Sequence, residues 1–220
     1  MKAAISGTSS GIGLAIAKKF LNEGHEVFGF DIAQGAISHP AYRHFIHDVR
    51  DRELPCSPLN DGIMPDIVIS NAGTTEEADA IEVNLNGAIR FAERFIDSPE
   101  LSSVLFIASA SARNGAEFPY YVASKAGLVG YMKYLAGKLA KRGVTVNSIS
   151  PGGVITPMNR HILESPVLYE KVLDENLFRK WAEPSEIAEL AYYLTVINRS
   201  MTGEDLLIDN GEQLKSNFIW

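Results

Sequence analysis

Seven short apolar runs, most of them separated by segments of helical character, constrain this chain more than any other feature. They are KAAIS (2–6), EVFGF (26–30), HFIHDV (44–49), DIVIS (66–70), SSVLFIAS (102–109), VTVNSIS (144–150) and GEDLLIDNG (203–211). A strand that is apolar at nearly every position needs cover on both faces, and helices between successive strands imply parallel pairing. After the first run, Ile12, Ile16 and Phe20 recur at four-residue steps and the pattern ends at Gly24, which reads as an amphipathic helix. EPSEIAELAYYL reads as a late helix, with Pro184 suited to a first helical position and acidic side chains suited to the first turn. The expected fold is α/β: one doubly wound parallel sheet of about seven strands with helices on both faces, in a single domain over residues 1–220.

Composition narrows the partners. At 220 residues the chain is long enough for one substantial core and short for two. A net charge of −7 opposes nucleic acid or an anionic membrane as partner, since both call for a basic surface. The single cysteine, Cys56 in LPCSPLN, precludes a disulfide framework and has no basic neighbour to activate it, which suits a reduced, cytoplasmic setting and a bland role. No apolar run is long enough to span a membrane, and MKAAISG lacks the apolar stretch of a signal peptide. The five histidines show no metal-ligand spacing, so no metal is expected.

The turn after the first strand is SGTSSGIG. Its glycines, Gly7, Gly11 and Gly13, allow a tight turn, close approach of backbone to a pyrophosphate and close packing of helix on strand. The helix that follows offers free N–H groups and its positive end to phosphate. Gly7, Ser9, Ser10, Gly11, Ile12 and Gly13 are therefore candidate cofactor-binding residues in a Rossmann-type arrangement. Asp31 ends the second strand, where a carboxylate either accepts from an adenosine ribose or is a solvated turn residue. Ser9, Ser10, Ile32 and Ala33 offer no cation for a 2′-phosphate, so NAD is favoured over NADP.

Candidate chemistry lies in FPYYVASKAG (118–127). Residues four apart share a helix face, and Tyr121 is four residues from Lys125 whereas Tyr120 is five. A lysine over Tyr121 would lower the phenol's pKa toward the range useful for general acid–base catalysis.

SGTSSGIG, NAG (71–73), VNLNG (83–87), YVASK (121–125) and PGGVITP (151–157) occur together in the order found in the short-chain dehydrogenase/reductase family, which the chain resembles over nearly its whole length. The resemblance implies NAD(P)-dependent hydride transfer between an alcohol and a ketone or aldehyde, with Asn84, Ser109, Tyr121 and Lys125 as the catalytic group. Tyr121 would exchange the proton, Ser109 would hold the substrate oxygen, and Lys125 would tune the phenol and bind the nicotinamide ribose. Asn84 would position a water. Asp48 and Val49 would contact the adenine; Asn71, Ala72 and Gly73 would lie along the cofactor; Pro151, Gly152, Val154 and Thr156 would border the nicotinamide. The family usually places the serine thirteen residues before the tyrosine. Here Ser109 is twelve before, and Ser111 competes for the role.

Two segments, 49–65 and 74–83, are shorter than the family's usual layout, and the prolines in DRELPCSPLN oppose a helix. The wording GHEVFGFDI and WAEPSEIAEL is similar to that of the bacterial hydroxysteroid dehydrogenase/carbonyl reductase branch. In the family, residues 158–181 would form a substrate lid; Met158, Ile162, Leu163, Val167, Leu168 and Tyr169 there either make an apolar pocket for a hydrophobic small molecule or pack helices. Gly127, Gly130 and Gly137, in the helix after Tyr121, suggest close approach of another element. The family's use of that helix implies a homodimer or homotetramer, with NFIW as a possible contact. The alternatives are a nucleotide-binding regulator without turnover and an NADPH-preferring carbonyl reductase.

Overall fold

The computed structural model describes residues 1–54 and 63–215. Cys56 and the NFIW tail lie outside them. The described residues form one parallel seven-stranded sheet of order β3-β2-β1-β4-β5-β6-β7. Its strands are β1 (Lys2–Ser6), β2 (Glu26–Asp31), β3 (Tyr42–Ile46), β4 (Ile67–Ser70), β5 (Ser103–Ile107), β6 (Thr145–Pro151) and β7 (Asp205–Ile208). Strand order reverses between β1 and β4, and the carboxyl ends of these neighbours open a crevice at the place where α/β sheets bind ligands.

The strand sequences run apolar because both faces are covered. Ala3, Ile5, Val27, Ile67, Ile69, Leu105 and Ile149 face α1 (Gly11–Asn22) and α7 (Pro184–Tyr192), which contribute Ile16, Phe20, Ile187 and Ala191. Their neighbours in the strands, among them Ala4, Phe28, Phe30, Val68, Val104 and Phe106, point the other way. These pack against Phe91 of α2 (Ala88–Glu93), Phe95, and Leu128, Met132 and Leu135 of the later helix α4 (Pro119–Leu139). α7 opens on a reciprocal capping box between Glu183 and Glu186, as its acidic first turn suggests.

Two expectations need correction. β3 begins at Tyr42 and stops at Ile46 rather than spanning 44–49. Beyond it, the His47 N–H still donates to Asp31 O at 2.8 Å, but Asp51 N then turns back to Asp48 O and the ladder ends. The start was obscured by Arg43, a polar residue tolerated because this is the sheet's edge. Of the glycines in α4, only Gly127 meets another element: a Cβ there would lie 3.1 Å from Leu85, whereas at Gly130 and Gly137 it would meet nothing within 4 Å. Finally, α2 is preceded by a π-helical turn, Ile81–Gly87, a form frequent at functional sites and with no period legible in the sequence.

Phe91 sits at the centre of the aromatic core, its ring 5.3 Å from Phe30 and 5.5 Å from Phe95, and is almost fully buried. Phe91→Ala should cost about 3–5 kcal/mol, read as a fall in the denaturant midpoint with an unchanged slope.

Candidate active site

A cleft of about 600 Å³ runs along the carboxyl edge of the sheet, from Asp31 and Asp48 at one end to Tyr121 and Glu117 at the other. At its centre the β1–α1 turn uses left-handed backbone at Gly7 (φ 74°) and Gly11 (φ 53°), where glycine avoids strain. No side chain caps the first turn of α1, so its amide N–H groups remain available to an anion. Asn71, just past β4, donates through Nδ2 to Ser6 O and Gly7 O, while Asn71 N and Ala72 N both donate to Ser6 Oγ. These bonds fix the turn against the neighbouring strand.

Asp31 is held through both oxygens. Ser9 N donates to Oδ2 and Ala33 N to Oδ1, each at 2.9 Å. A carboxylate immobilised in this way presents its remaining lone pairs to the cleft, a fit for hydroxyl donors and a poor fit for a phosphate. Nearby, Arg50 grips Asp48, with Nη2 2.7 Å from Oδ2 and Nε near both oxygens, and reaches Asp79 at 3.3 Å. That guanidinium holds the Asp48 carboxyl below its ordinary range. His47 is buried beside it, and burial lowers its pKa. The uncapped glycine turn, the anchored Asp31 and the length of the cleft fit a dinucleotide.

Of the residues expected at the site, all but Ser9, Gly13 and Asn84 line this cleft. Ser9 braces Asp31. Gly13 serves packing, since a Cβ there would fall 2.0 Å from Gly7 O. Asn84 is fully buried on the π-helical turn, accepting from Thr74 N and donating to Thr74 O and Ser124 Oγ. Its side chain pins the segment after Gly73 to α4.

At the other end, α4 starts with Pro119 at its first position, and the Tyr120 and Tyr121 N–H groups donate to the Glu77 carboxylate at 3.4 and 3.3 Å. Tyr120 is exposed on the outside of the helix, whereas Tyr121 faces the cleft with Ser109. Ser109 Oγ donates to Ser111 Oγ at 3.1 Å and accepts from Ser111 N, so both serines share one network. Lys125 Nζ lies 5.8 Å from the centre of the Tyr121 ring and donates to Ile107 O at 2.9 Å.

The electrostatics differ from the expected lowering of the Tyr121 pKa by Lys125. Burial pushes the Tyr121 phenol up to about 12; the Ser109 hydroxyl lowers it and the Glu117 carboxylate raises it further. Burial also lowers Lys125 to about 8, against the opposing effect of Glu117. Among the protein's own groups, desolvation outweighs the attraction between ammonium and phenolate.

Residues 158–181 carry α5 (Arg160–Leu163) and α6 (Pro166–Leu173), neither of which buries any residue fully. Met158 and Ile162 line the cleft, joined by Val172 and Trp181, whereas Val167 and Leu168 are exposed and Tyr169 packs its ring edge-on to Trp181. The apolar lining is thus thinner than six side chains. Arg50, His47, Glu117 and Trp181 line the site without having been anticipated; Glu117 is four residues before Tyr121 but lies outside α4, so helical spacing gave no signal for it.

Residues 60–213 match the family model described as enoyl-(acyl carrier protein) reductase. The chain belongs to the short-chain dehydrogenase/reductase family and is an NAD(P)-dependent oxidoreductase acting on CH–OH groups. It is 32% identical to (+)-borneol dehydrogenase 1 of Salvia officinalis, covering 95% of this chain and 92% of that one. It is 30% identical to galactitol 2-dehydrogenase (L-tagatose-forming) of Cereibacter sphaeroides, over 95% and 93%. In structure it resembles 4-hydroxyisoleucine dehydrogenase complexed with NADH, with a TM-score of 0.87, 27% identity and coverage of 98% and 99%.

Two measurements check the geometry. In labelled protein without coenzyme, one lysine Cε resonance should titrate near pH 8 and vanish in Lys125→Met; a complete set titrating only above pH 10 would contradict the buried amine. Gly13→Ala should cost about 1–3 kcal/mol through overpacking, read by thermal unfolding.

Proposed function

We propose that this protein is an NAD-dependent oxidoreductase that interconverts a secondary alcohol and a ketone, or an alcohol and an aldehyde, with Tyr121 as general acid and base. The observation that carries the reading is the convergence of Tyr121, Ser109 and Lys125 at one end of a cleft whose other end holds an anchored Asp31. Asp31 would accept from the adenosine ribose hydroxyls and repel a 2′-phosphate; Arg50 does not counter this, being committed to Asp48 and Asp79. The likeness to a dehydrogenase complexed with NADH supports the same choice.

Bound along the glycine turn, the coenzyme supplies the acceptor or donor of hydride. In oxidation, Tyr121 Oη takes the proton from the substrate hydroxyl as hydride leaves its carbon; in reduction it returns that proton to the carbonyl oxygen. Ser109 Oγ donates to this oxygen and holds it beside the phenol, while Ser111 fixes the orientation of Ser109. Lys125, tethered to Ile107 O, supports the phenolate and donates to the nicotinamide ribose. Asn84 keeps the adjoining backbone in place. Thr156, whose methyl faces Gly11, and Val154 border the nicotinamide end. We also propose a homo-oligomer, with the open face of α4 around Gly130 and Gly137 as its contact; a monomer by light scattering at micromolar concentration would refute it.

Tyr121→Phe should remove most turnover, by at least about 10²-fold, while NADH binding persists; Tyr120→Phe should leave turnover largely intact. Loss in Tyr120→Phe alone would overturn the assignment. Comparing kcat/KM with NADH and NADPH tests Asp31, and Asp31→Ser should narrow the difference. Because burial raises the Tyr121 phenol, alcohol oxidation should accelerate as pH rises toward the alkaline range, whereas carbonyl reduction should be favoured near neutrality; a pH–rate profile of the opposite sense would contradict the role.

A further inference from the structure

β2 carries a glycine, Gly29, between Phe28 and Phe30, where a strand loses packing by having no side chain. A Cβ there would lie 2.2 Å from Tyr42 Oη and 2.6 Å from Thr8 Oγ1, so its absence makes room for a contact between β3 and the glycine turn. Gly35 repeats the pattern, since a Cβ there would lie 2.9 Å from the His44 ring. Both spaces are filled from β3 by Tyr42 and His44, which are two residues apart and share a face of the strand.

These side chains form one hydrogen-bonded chain. Thr8 Oγ1 lies 2.9 Å from Tyr42 Oη, Tyr42 Oη lies 2.9 Å from His44 Nδ1, and His44 Nε2 lies 2.9 Å from Ala33 O. Its direction follows from its last member. A carbonyl oxygen only accepts, so His44 Nε2 donates to Ala33. With one N–H on the ring, Nδ1 accepts from Tyr42, whose oxygen then accepts from Thr8. Burial raises the Tyr42 phenol, opposed by the Thr8 hydroxyl and assisted by the Asp31 carboxylate, so the phenol keeps the proton this order requires.

The chain starts in the glycine turn and ends on the loop that follows Asp31. Ala33 O also accepts from Ser9 Oγ at 3.4 Å, and Ala33 N and Ser9 N both donate to the Asp31 carboxylate. The bonds thus close a ring around Asp31. Backbone pairing from Val27 to Asp31 already joins β2 to β3, so the sheet does not need these side chains to hold its edge. What they hold is the Ala33 peptide, which is exposed and lies outside any helix or strand.

We propose that Tyr42 and His44 are positioning residues for coenzyme selection: they hold the Ala33 carbonyl, and through the Ala33 peptide they keep the Asp31 carboxylate turned toward the ribose hydroxyls of NAD(H). Without them Ala33 N would leave Asp31 Oδ1, and Ser9 N alone would hold the carboxylate. The carboxylate would then be free to rotate, and the released amide would become a donor for a 2′-phosphate. Discrimination against NADP(H) would fall from both sides. This rests on the reading of Asp31 above, and its test separates the two.

Fluorescence titration of NADH and NADPH with the full chain, without substrate, gives both dissociation constants. His44→Leu should weaken NADH binding by about 10-fold and lower the preference for NADH over NADPH by at least as much. Tyr42→Phe should act in the same direction by about 3-fold. His44→Gln, whose amide still donates to Ala33 O, should retain most of the preference. A folding defect alone would weaken both coenzymes alike and would not be rescued by glutamine. If His44→Leu does not fold, Tyr42→Phe, which removes a single oxygen, decides. A preference unchanged in the His44→Leu and Tyr42→Phe variants but lowered in Asp31→Ser overturns the proposal and leaves the role of Asp31 intact. A wild-type preference for NADPH, or one unmoved in Asp31→Ser, overturns both. Independently of coenzyme, proton–nitrogen correlation spectra at alkaline pH should show the His44 ring protonated at Nε2; protonation at Nδ1 instead would overturn the proposal.

Discussion

The amine of Lys125 lies 2.9 Å from the carbonyl oxygen of Ile107, the last residue of β5, and this contact joins the helix carrying Tyr121 to the sheet. A lysine buried among backbone groups loses its hydration and has no carboxylate in direct contact to replace it, so its ammonium form is disfavoured. The same dryness keeps the Tyr121 proton in place. The centre therefore avoids burying an unneeded charge: both groups are driven toward neutrality. Around this pair, the Ser109–Ser111 network borders the phenol, and Glu77 holds the first amides of α4 beside it.

What could be read from the sequence depended on how local its physical cause was. Strand composition located β1, β2, β4, β5 and β6 because burial on both faces demands uninterrupted apolar residues. β7, a half-buried edge strand, was found from its Leu206, Leu207 and Ile208, and β3, the other edge, drifted because it tolerates Arg43 and need not extend through Val49. The Tyr121–Lys125 relation was legible because four-residue helical spacing is rigid. The electrostatics were not: the sign of the Tyr121 shift depends on how much surrounding structure removes water, a three-dimensional quantity. Glu117, Glu175 and Glu212 likewise line one cleft only because the chain returns to the same edge before α4, after α6 and after β7.

The shortened segment between Asn71 and Asn84 shows how a missing stretch can be compensated. Thr74 pairs with Asn84 through both its N–H and its carbonyl, so the chain leaves β4 directly onto the π-helical turn. Glu77, a few residues on, then reaches the first amides of α4, where a carboxylate also suits the positive end of the helix. A longer loop could not be held so simply. Compactness here gives α4 an additional anchor and brings Thr74, Thr75 and Asp79 to the wall of the cleft.

Charge along the cleft is arranged in three zones. Asp31 and the Asp48–Arg50 pair occupy one end, and Glu117, Glu175 and Glu212 the other. Between them lies the uncapped start of α1, whose amides and dipole favour negative charge. A diphosphate therefore has one favourable position: sliding it toward Asp31 or toward Glu117 brings it against carboxylate. The acidic flanks thus help set the register of a long ligand as well as the chemistry of what lies at each end. This distribution also accounts for how a chain of net charge −7 can hold a doubly anionic group. Attraction is supplied locally by backbone, where geometry specifies it, and opposed on either side, where displacement would carry the far end of a long ligand away from Tyr121.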